Sequence, residues 1–166
     1  MPNRIPDSFD PRDFVEKRRL IQAELPFDRL ARVQDALADT AGVARVELRF
    51  EKWGRVAGID GRVDAELRLR CQRCLDALEW PVHCDVRLGI VGSIDEANLL
   101  PDDVEPLLLA PGATIDLAEL VEDELLLAIP SIPRHIDCQV PGSAGRPQEK
   151  DKPFAVLANL TKPTEE

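Results

Sequence analysis

Apolar and polar residues alternate strictly along three stretches in the middle of the chain, and that period of two predicts strands buried on one face. Ala44, Val46, Leu48 and Phe50 alternate with Arg45, Glu47, Arg49 and Glu51. Val63, Ala65, Leu67, Leu69 and Cys71 alternate with Arg62, Asp64, Glu66, Arg68 and Arg70. Leu78, Trp80, Val82, Cys84, Val86, Leu88 and Ile90 alternate with Glu79, His83, Asp85 and Arg87. Short connections between them predict an antiparallel meander with one solvated face. Pro81 falls on the outward side of the third strand, which suggests an edge or a bulge.

On either side the period changes. An extended piece around Arg18 to Leu25 is ended by Pro26. Phe27, Leu30, Ala31, Val33 and Leu37 then recur at helical spacing, with Gly42 placed as a left-handed cap. Beyond Gly92 an acidic, proline-punctuated connection runs to Pro111. Asp116 reads as an N-cap with Glu119 three residues on, opening a helix that Pro130 terminates. In that helix Leu117, Leu120, Val121, Leu125, Leu127 and Ala128 form a broad apolar arc, and Glu124 projects into the middle of it. Leu126 falls on the opposite face with Glu119, Glu122 and Asp123. A carboxylate aimed at a core is costly unless paired. Glu124 is therefore expected either to meet an arginine, Arg73 or Arg134 first, or to lie at the solvated margin of a half-covered helix.

These elements make an α+β fold: an antiparallel β-meander of three or more long strands, helices packed on one face, and a Cys-x-x-Cys knuckle at a strand-strand turn. A length of 166 residues suits one domain with appended segments, and an apolar share of 44% is enough for a core. Residues 1–16, interrupted by Pro2, Pro6 and Pro11, read as a flexible N-terminal arm and residues 17–140 as a single domain. Residues 141–153 read as a polar linker, and 154–166 as a C-terminal docking segment and tail, whose Phe154-Ala155-Val156-Leu157 must dock on something. There is no internal repeat and no glycine-rich phosphate loop.

Charge modifies this picture more than composition does. The net charge is −10, which speaks against phosphate contacts on average, yet it is unevenly spread. From Arg12 to Arg73 there are fourteen basic and eleven acidic residues; from Leu88 to Pro133 there are ten acidic residues and no basic one. A basic half and an acidic half suit an RNA surface, a basic protein, or both. The outward strand faces, with Arg45, Arg49, Arg62, Arg68, Arg70 and Arg87, are the candidate RNA contacts. Aromatic residues are 4% of the chain with no tyrosine, which argues against a stacking platform for single strands. No stretch approaches a membrane span, and the N-terminus lacks the apolar core of a secretory signal. Four cysteines without an export signal point to a reducing compartment, the cytoplasm.

The cysteines supply the candidate chemistry. Cys71-Gln72-Arg73-Cys74 lies where one strand stops and the next begins, so a tight turn can aim both sulfurs at one point. His135-Ile136-Asp137-Cys138 repeats the two-residue gap some sixty residues later. If the pairs converge, Cys71, Cys74, His135 and Cys138 offer four ligands of the softness zinc accepts. The alternatives are a redox dithiol and incidental thiols; a thioredoxin-type dithiol would open a helix, whereas this pair joins strands. Cys84 shares parity with the core and reads as a buried free thiol, while His83 points outward. No nucleophile and base pair emerges, and a metal-dependent hydrolase would need an open coordination position beside a general base, so the expectation is a protein that is not an enzyme.

Several motifs in order carry a resemblance: Cys71-Gln72-Arg73-Cys74-Leu75, then Ile115-Asp116-Leu117 running into Val121-Glu122-Asp123-Glu124-Leu125, then His135 and Cys138, and Pro153-Phe154-Ala155-Val156-Leu157-Ala158-Asn159-Leu160. From about Arg18 onward the chain resembles the YceD family, the bacterial large ribosomal RNA subunit accumulation proteins. The resemblance implies a cytoplasmic, non-enzymatic factor for synthesis, processing or stability of 23S ribosomal RNA. It also implies metal binding, favouring Cys71, Cys74 and Cys138, and nucleic-acid binding. The expected partner is that RNA or a large-subunit assembly intermediate. The alternative is an acidic, chaperone-like module for a basic ribosomal protein with no RNA contact of its own.

Overall fold

The three alternating stretches become the three long strands of one sheet, because each can bury its apolar face only against the same core. The structure, a computed structural model, describes residues 8–141. Its elements in chain order are β1 (Ser8–Phe9), α1 (Pro11–Glu16), β2 (Leu20–Pro26), a 3-10 turn at Phe27–Arg29, α2 (Ala31–Gln34), β3 (Val43–Trp53), β4 (Val56–Arg70) and β5 (Ala77–Val91). After these come α3 (Ile94–Ala97), β6 (Glu105–Leu108), β7 (Ile115–Asp116) and α4 (Leu117–Ala128). The main sheet has the order β2-β3-β4-β5-β6, antiparallel except where β6 runs parallel to the end of β5. The fold class is the α+β arrangement expected, with α1, α2 and α4 on the inner face of the sheet. Among the described residues no helix is long and apolar enough to cross a membrane.

β4 begins at Val56, well before the alternation that announces it. Gly61 occupies an inward position and breaks the apolar pattern, for a physical reason: a Cβ there would lie 1.9 Å from the carbonyl oxygen of Glu47 on the neighbouring strand. Pro81 sits where β5 has no partner on its outer side, since β6 pairs only with Leu88 to Val91. That is the edge position expected for a residue without an N–H.

The N-terminal segment departs from the expected arm. From Ser8 onward it is folded: β1 pairs with β7, matching Phe9 to Ile115, and Asp10 caps α1 by accepting from the Arg12 backbone N–H at 2.8 Å. Pro11, read as a breaker, stands at the first helical position, where its missing N–H has no intrahelical partner to lose. Phe9 and Val15 are 5% and 2% exposed. The Phe9 and Phe14 rings stack at 4.3 Å, and Phe50 meets both edge-on at 5.5 and 5.3 Å.

The helix expected over Phe27 to Leu37 is also shorter than its pattern. The periodic residues are divided between the 3-10 turn and the four-residue α2, and Leu37 leaves to bridge Leu69. Gly42 does not cap it. Its φ of +119° lets its carbonyl accept from the Phe27 N–H at 3.2 Å, and the Phe27 ring occupies the space of a Cβ.

α4 forms as expected. Asp116 accepts from the Ala118 N–H at 2.7 Å, and the chain turns extended at Ile129 before Pro130. Its buried stripe is rotated from the predicted arc. Leu117, Leu120, Val121 and Leu125 are buried, but Leu127 is 78% exposed and the buried carboxylate is Glu122, at 4%. Glu122 accepts from the backbone N–H of Arg32 at 2.8 Å, and the Arg32 guanidinium pairs with Asp123 at 2.6 Å. Residues 142–166, which include the expected docking segment and all of the expected linker except Pro141, lie outside the described residues.

Candidate metal centre and the charged sheet face

Inward parity on β4 continues one residue past its end and delivers Cys71 into the core, fully buried. The chain then reverses in a tight turn. The Cys71 N–H donates to the Asp76 carbonyl and the Leu75 N–H to the Cys71 carbonyl, both at 2.9 Å. Leu75 takes φ +69°, a left-handed conformation that leucine rarely adopts and that lets β5 start at Ala77.

Past α4, the chain runs back over this turn without regular secondary structure. Two hydrogen bonds fix it there: the Gln72 N–H donates to the Pro133 carbonyl at 2.8 Å, and the Arg73 guanidinium donates to the Cys138 carbonyl at 2.9 Å. Arg73 is thus committed to the knuckle and is not the expected partner of Glu124.

The two pairs converge as expected. The ligand atoms of Cys71, Cys74, His135 and Cys138 all lie within 4.8 Å of one another. Cys71 Sγ is 3.7 Å from Cys138 Sγ, and Cys74 Sγ is 3.4 Å from His135 Nδ1. A tetrahedral ion with ordinary zinc bond lengths separates two sulfurs by about 3.8 Å and sulfur from nitrogen by about 3.5 Å. These two edges fit that geometry. His135 Nε2 lies 3.1 Å from the Ala77 carbonyl, which can only accept, so the ring proton belongs on Nε2 and the Nδ1 lone pair faces the sulfurs. Four soft donors with the imidazole oriented by a backbone carbonyl are chemically suited to a structural zinc.

The two knuckle thiols have different electrostatics. Burial pushes the Cys71 thiol up, but N–H groups of Cys74, Arg73 and His135 directed at its sulfur outweigh this and bring it down to about 5. The backbone of Asp76 favours the Cys74 thiolate. Burial and the neighbouring Cys71, Cys138 and Asp76 side chains outweigh it and push Cys74 up to about 11. Cys84 is outside the cluster. It is half-buried, its Sγ donates to the Glu124 carbonyl at 3.6 Å, and burial, then Glu124, Asp64 and Asp85, raise its pKa.

The sheet's outer face carries all six expected arginines, each exposed. Register also places carboxylates among them. Arg45 pairs with Glu24 at 3.4 Å, Arg49 with Glu47 at 3.2 Å, and Arg62 with Glu47 and Asp64 at 3.5 and 3.6 Å. Arg68 pairs with Asp39, and Arg87 with Asp103 at 2.7 Å while its guanidinium lies 5.4 Å from the Trp53 ring centroid. Of the six, only Arg70 has no ion pair among the described residues. His83 faces outward as expected, with Nδ1 2.7 Å from Asp64.

Glu124 meets neither Arg73 nor Arg134. It is half-buried, and burial followed by the nearby Glu105 and Asp123 raises its pKa, which corresponds to the margin reading. The partners that sequence could not supply are mostly backbone groups: the Ala77 carbonyl, the Gln72 N–H and the Arg32 N–H. Such contacts leave no signature in residue type. Only the strand start at Ala77, immediately after the knuckle, hints that a carbonyl is near.

A family model described as "Large ribosomal RNA subunit accumulation protein YceD" matches residues 59–161, a span that holds all four candidate ligands. The chain is similar to the large ribosomal RNA subunit accumulation protein YceD of Haemophilus influenzae, 30% identical over 167 aligned residues that cover 95% of this chain and 96% of that one. No solved structure matches.

Proposed function

The chain belongs to the YceD family of large ribosomal RNA subunit accumulation proteins, and from that premise we propose that it sustains 23S ribosomal RNA as a binding factor rather than a catalyst. It engages the RNA, or a large-subunit assembly intermediate, through the basic half of the molecule. The observation that carries this reading is the near-full-length likeness to a relative named for accumulation of the large ribosomal RNA subunit. The segregation of charge along the chain supports it, with every arginine of the outer sheet face solvent-accessible.

In this reading Cys71, Cys74, His135 and Cys138 hold a zinc ion. The ion supplies a cross-link between the knuckle and the segment after α4. Four protein ligands complete a tetrahedron, whereas a catalytic zinc keeps one position for water or substrate. The site is therefore a staple that holds residues 129–138 in place beside the sheet.

Binding of in-vitro-transcribed 23S ribosomal RNA across a salt series tests the proposal. Contacts through several cations should give an affinity that falls linearly in log-log form as salt rises. Failure to bind at low salt would remove direct RNA contact. A second reading has its own support: Asp95, Glu96, Asp102, Glu105 and Glu119 are exposed with no ion pair among the described residues. That acidic surface suits a basic ribosomal protein, and capture of such a protein without free RNA would favour this alternative.

A further inference from the structure

We propose that the groove where α1 and β2 meet the end of β3 is the primary RNA phosphate site, formed by Arg18, Arg19, Arg49 and Lys52. This rests on the RNA-binding reading above and goes beyond it by assigning the contact to residues of which only Arg49 belongs to the arginines on the outer sheet face. The groove has a volume of about 470 Å³, and its charged lining is those four cations with Glu16 and Glu51. Glu51 is already engaged by the Trp53 indole N–H at 3.0 Å. Arg18, Arg19 and Lys52 have no ion pair among the described residues, whereas Arg49 pairs with Glu47 at 3.2 Å, so the lining keeps a net positive charge beside Glu16 and Glu51 in a chain whose net charge is −10.

The neighbouring groove further along β2 and β3 is the informative contrast. There Arg45 and Arg62 face Glu24, Glu47 and Asp64, so acids outnumber cations and pair with them. A phosphate approaching that groove must displace carboxylates; at Arg18, Arg19 and Lys52 it displaces water. The backbone under these cations is fixed. Arg18 donates from its N–H to the Val15 carbonyl at 3.1 Å and holds φ at +48°, and Arg19 donates to the Phe14 carbonyl at 3.0 Å. The Arg19 carbonyl in turn accepts from the Phe50 N–H at 2.9 Å, and its guanidinium lies 5.8 Å from the Phe14 ring centroid. The backbone of two adjacent arginines is thus set by helix and strand before any ligand arrives, which lowers the backbone entropy lost on binding.

The test compares two double charge reversals, Arg18→Glu/Lys52→Glu and Arg45→Glu/Arg62→Glu, by filter binding of in-vitro-transcribed 23S ribosomal RNA over a salt series. Thermal midpoint and metal content confirm folding, and Arg19→Ala/Arg49→Ala replaces the first variant if it fails that control. The first variant should lose at least ~10-fold in affinity and reduce the slope of log affinity against log salt by about 2, whereas the second should change affinity by less than ~3-fold. If wild type binds and the Arg18/Lys52 variant binds as tightly, or both variants lose equally, the site is wrong while the RNA-binding reading stands. If wild type binds no RNA at low salt, both fall. Competition by polyglutamate as effective as by unlabelled RNA would assign the groove to an acidic protein and overturn the proposal.

Discussion

The two ends of β4 are held by different physics. At the Val56 end, regular strand ladders and the Phe9, Phe14 and Phe50 rings fix the backbone, and charged side chains stand outside that framework. At the Cys71 end, a stretch without regular secondary structure is brought back by two hydrogen bonds to the knuckle and by His135 on a carbonyl, which gather three sulfurs and one imidazole. Order at the first end comes from apolar burial, and at the second from a few hydrogen bonds beside four side chains close enough to hold an ion. The expected consequence is a division of labour: surface charge at the first end should change without disturbing the fold, whereas loss of a ligand at the second should cost that end its shape.

The strongest way to break that contrast is to remove the ligands. Cys71→Ser/Cys74→Ser, or chelation of the wild type, should abolish bound zinc and lower stability by several kcal/mol, up to roughly 10. Zinc analysis beside thermal unfolding checks this. Hydrogen exchange should show residues 129–138 deprotected while β3 and β4 stay protected. A wild type whose stability ignores chelation would erase the distinction between the ends. At the opposite end, Phe50→Ala should cost about 3–5 kcal/mol in urea unfolding, because a fully buried ring and its two aromatic contacts are lost. Its metal content should not change.

The smallest effects sharpen the account of α4, which lies between the ends. Glu122→Ala leaves the Arg32 N–H without its buried acceptor and should destabilise by about 1–3 kcal/mol. Glu124→Gln should act in the other direction. Because the folded-state pKa of Glu124 is raised, the folded protein holds that proton more tightly than the unfolded chain, and wild-type stability falls as pH rises above the ordinary value of 4.5. The glutamine variant should therefore be slightly more stable at pH 7. The gain should vanish below pH 4.5. Stability curves of both variants at acid and neutral pH would separate them.

What could be read from the sequence follows from which interactions leave a trace in residue type. Alternation announced β3, the second half of β4, and β5, but Gly61 hid the first half of β4, because a close backbone approach demands glycine where the pattern demands an apolar residue. Pro11 is ambiguous in sequence because proline both ends and begins helices, and only Asp10 before it marks the second case. The four ligands were legible from their repeated two-residue gap. The ion pairs on the sheet were not, since Arg45 meets Glu24 through cross-strand register rather than proximity in sequence. The periodicity of α4 placed Leu117, Leu120, Val121 and Leu125 on the buried side, yet it could not say that the α2 turn would cover the Glu122 side and leave Leu127 bare.

Cys71 and Cys138 stand 67 residues apart. A metal bridging them would close one loop that holds β5, β6 and α4. An ion released on unfolding leaves the disordered chain unconstrained, so its stabilisation would act on the folded state as binding energy. A metal placed at one rim of the sheet would thus steady elements that never touch it, because they cannot unfold and part Cys71 from Cys138 without releasing the ion.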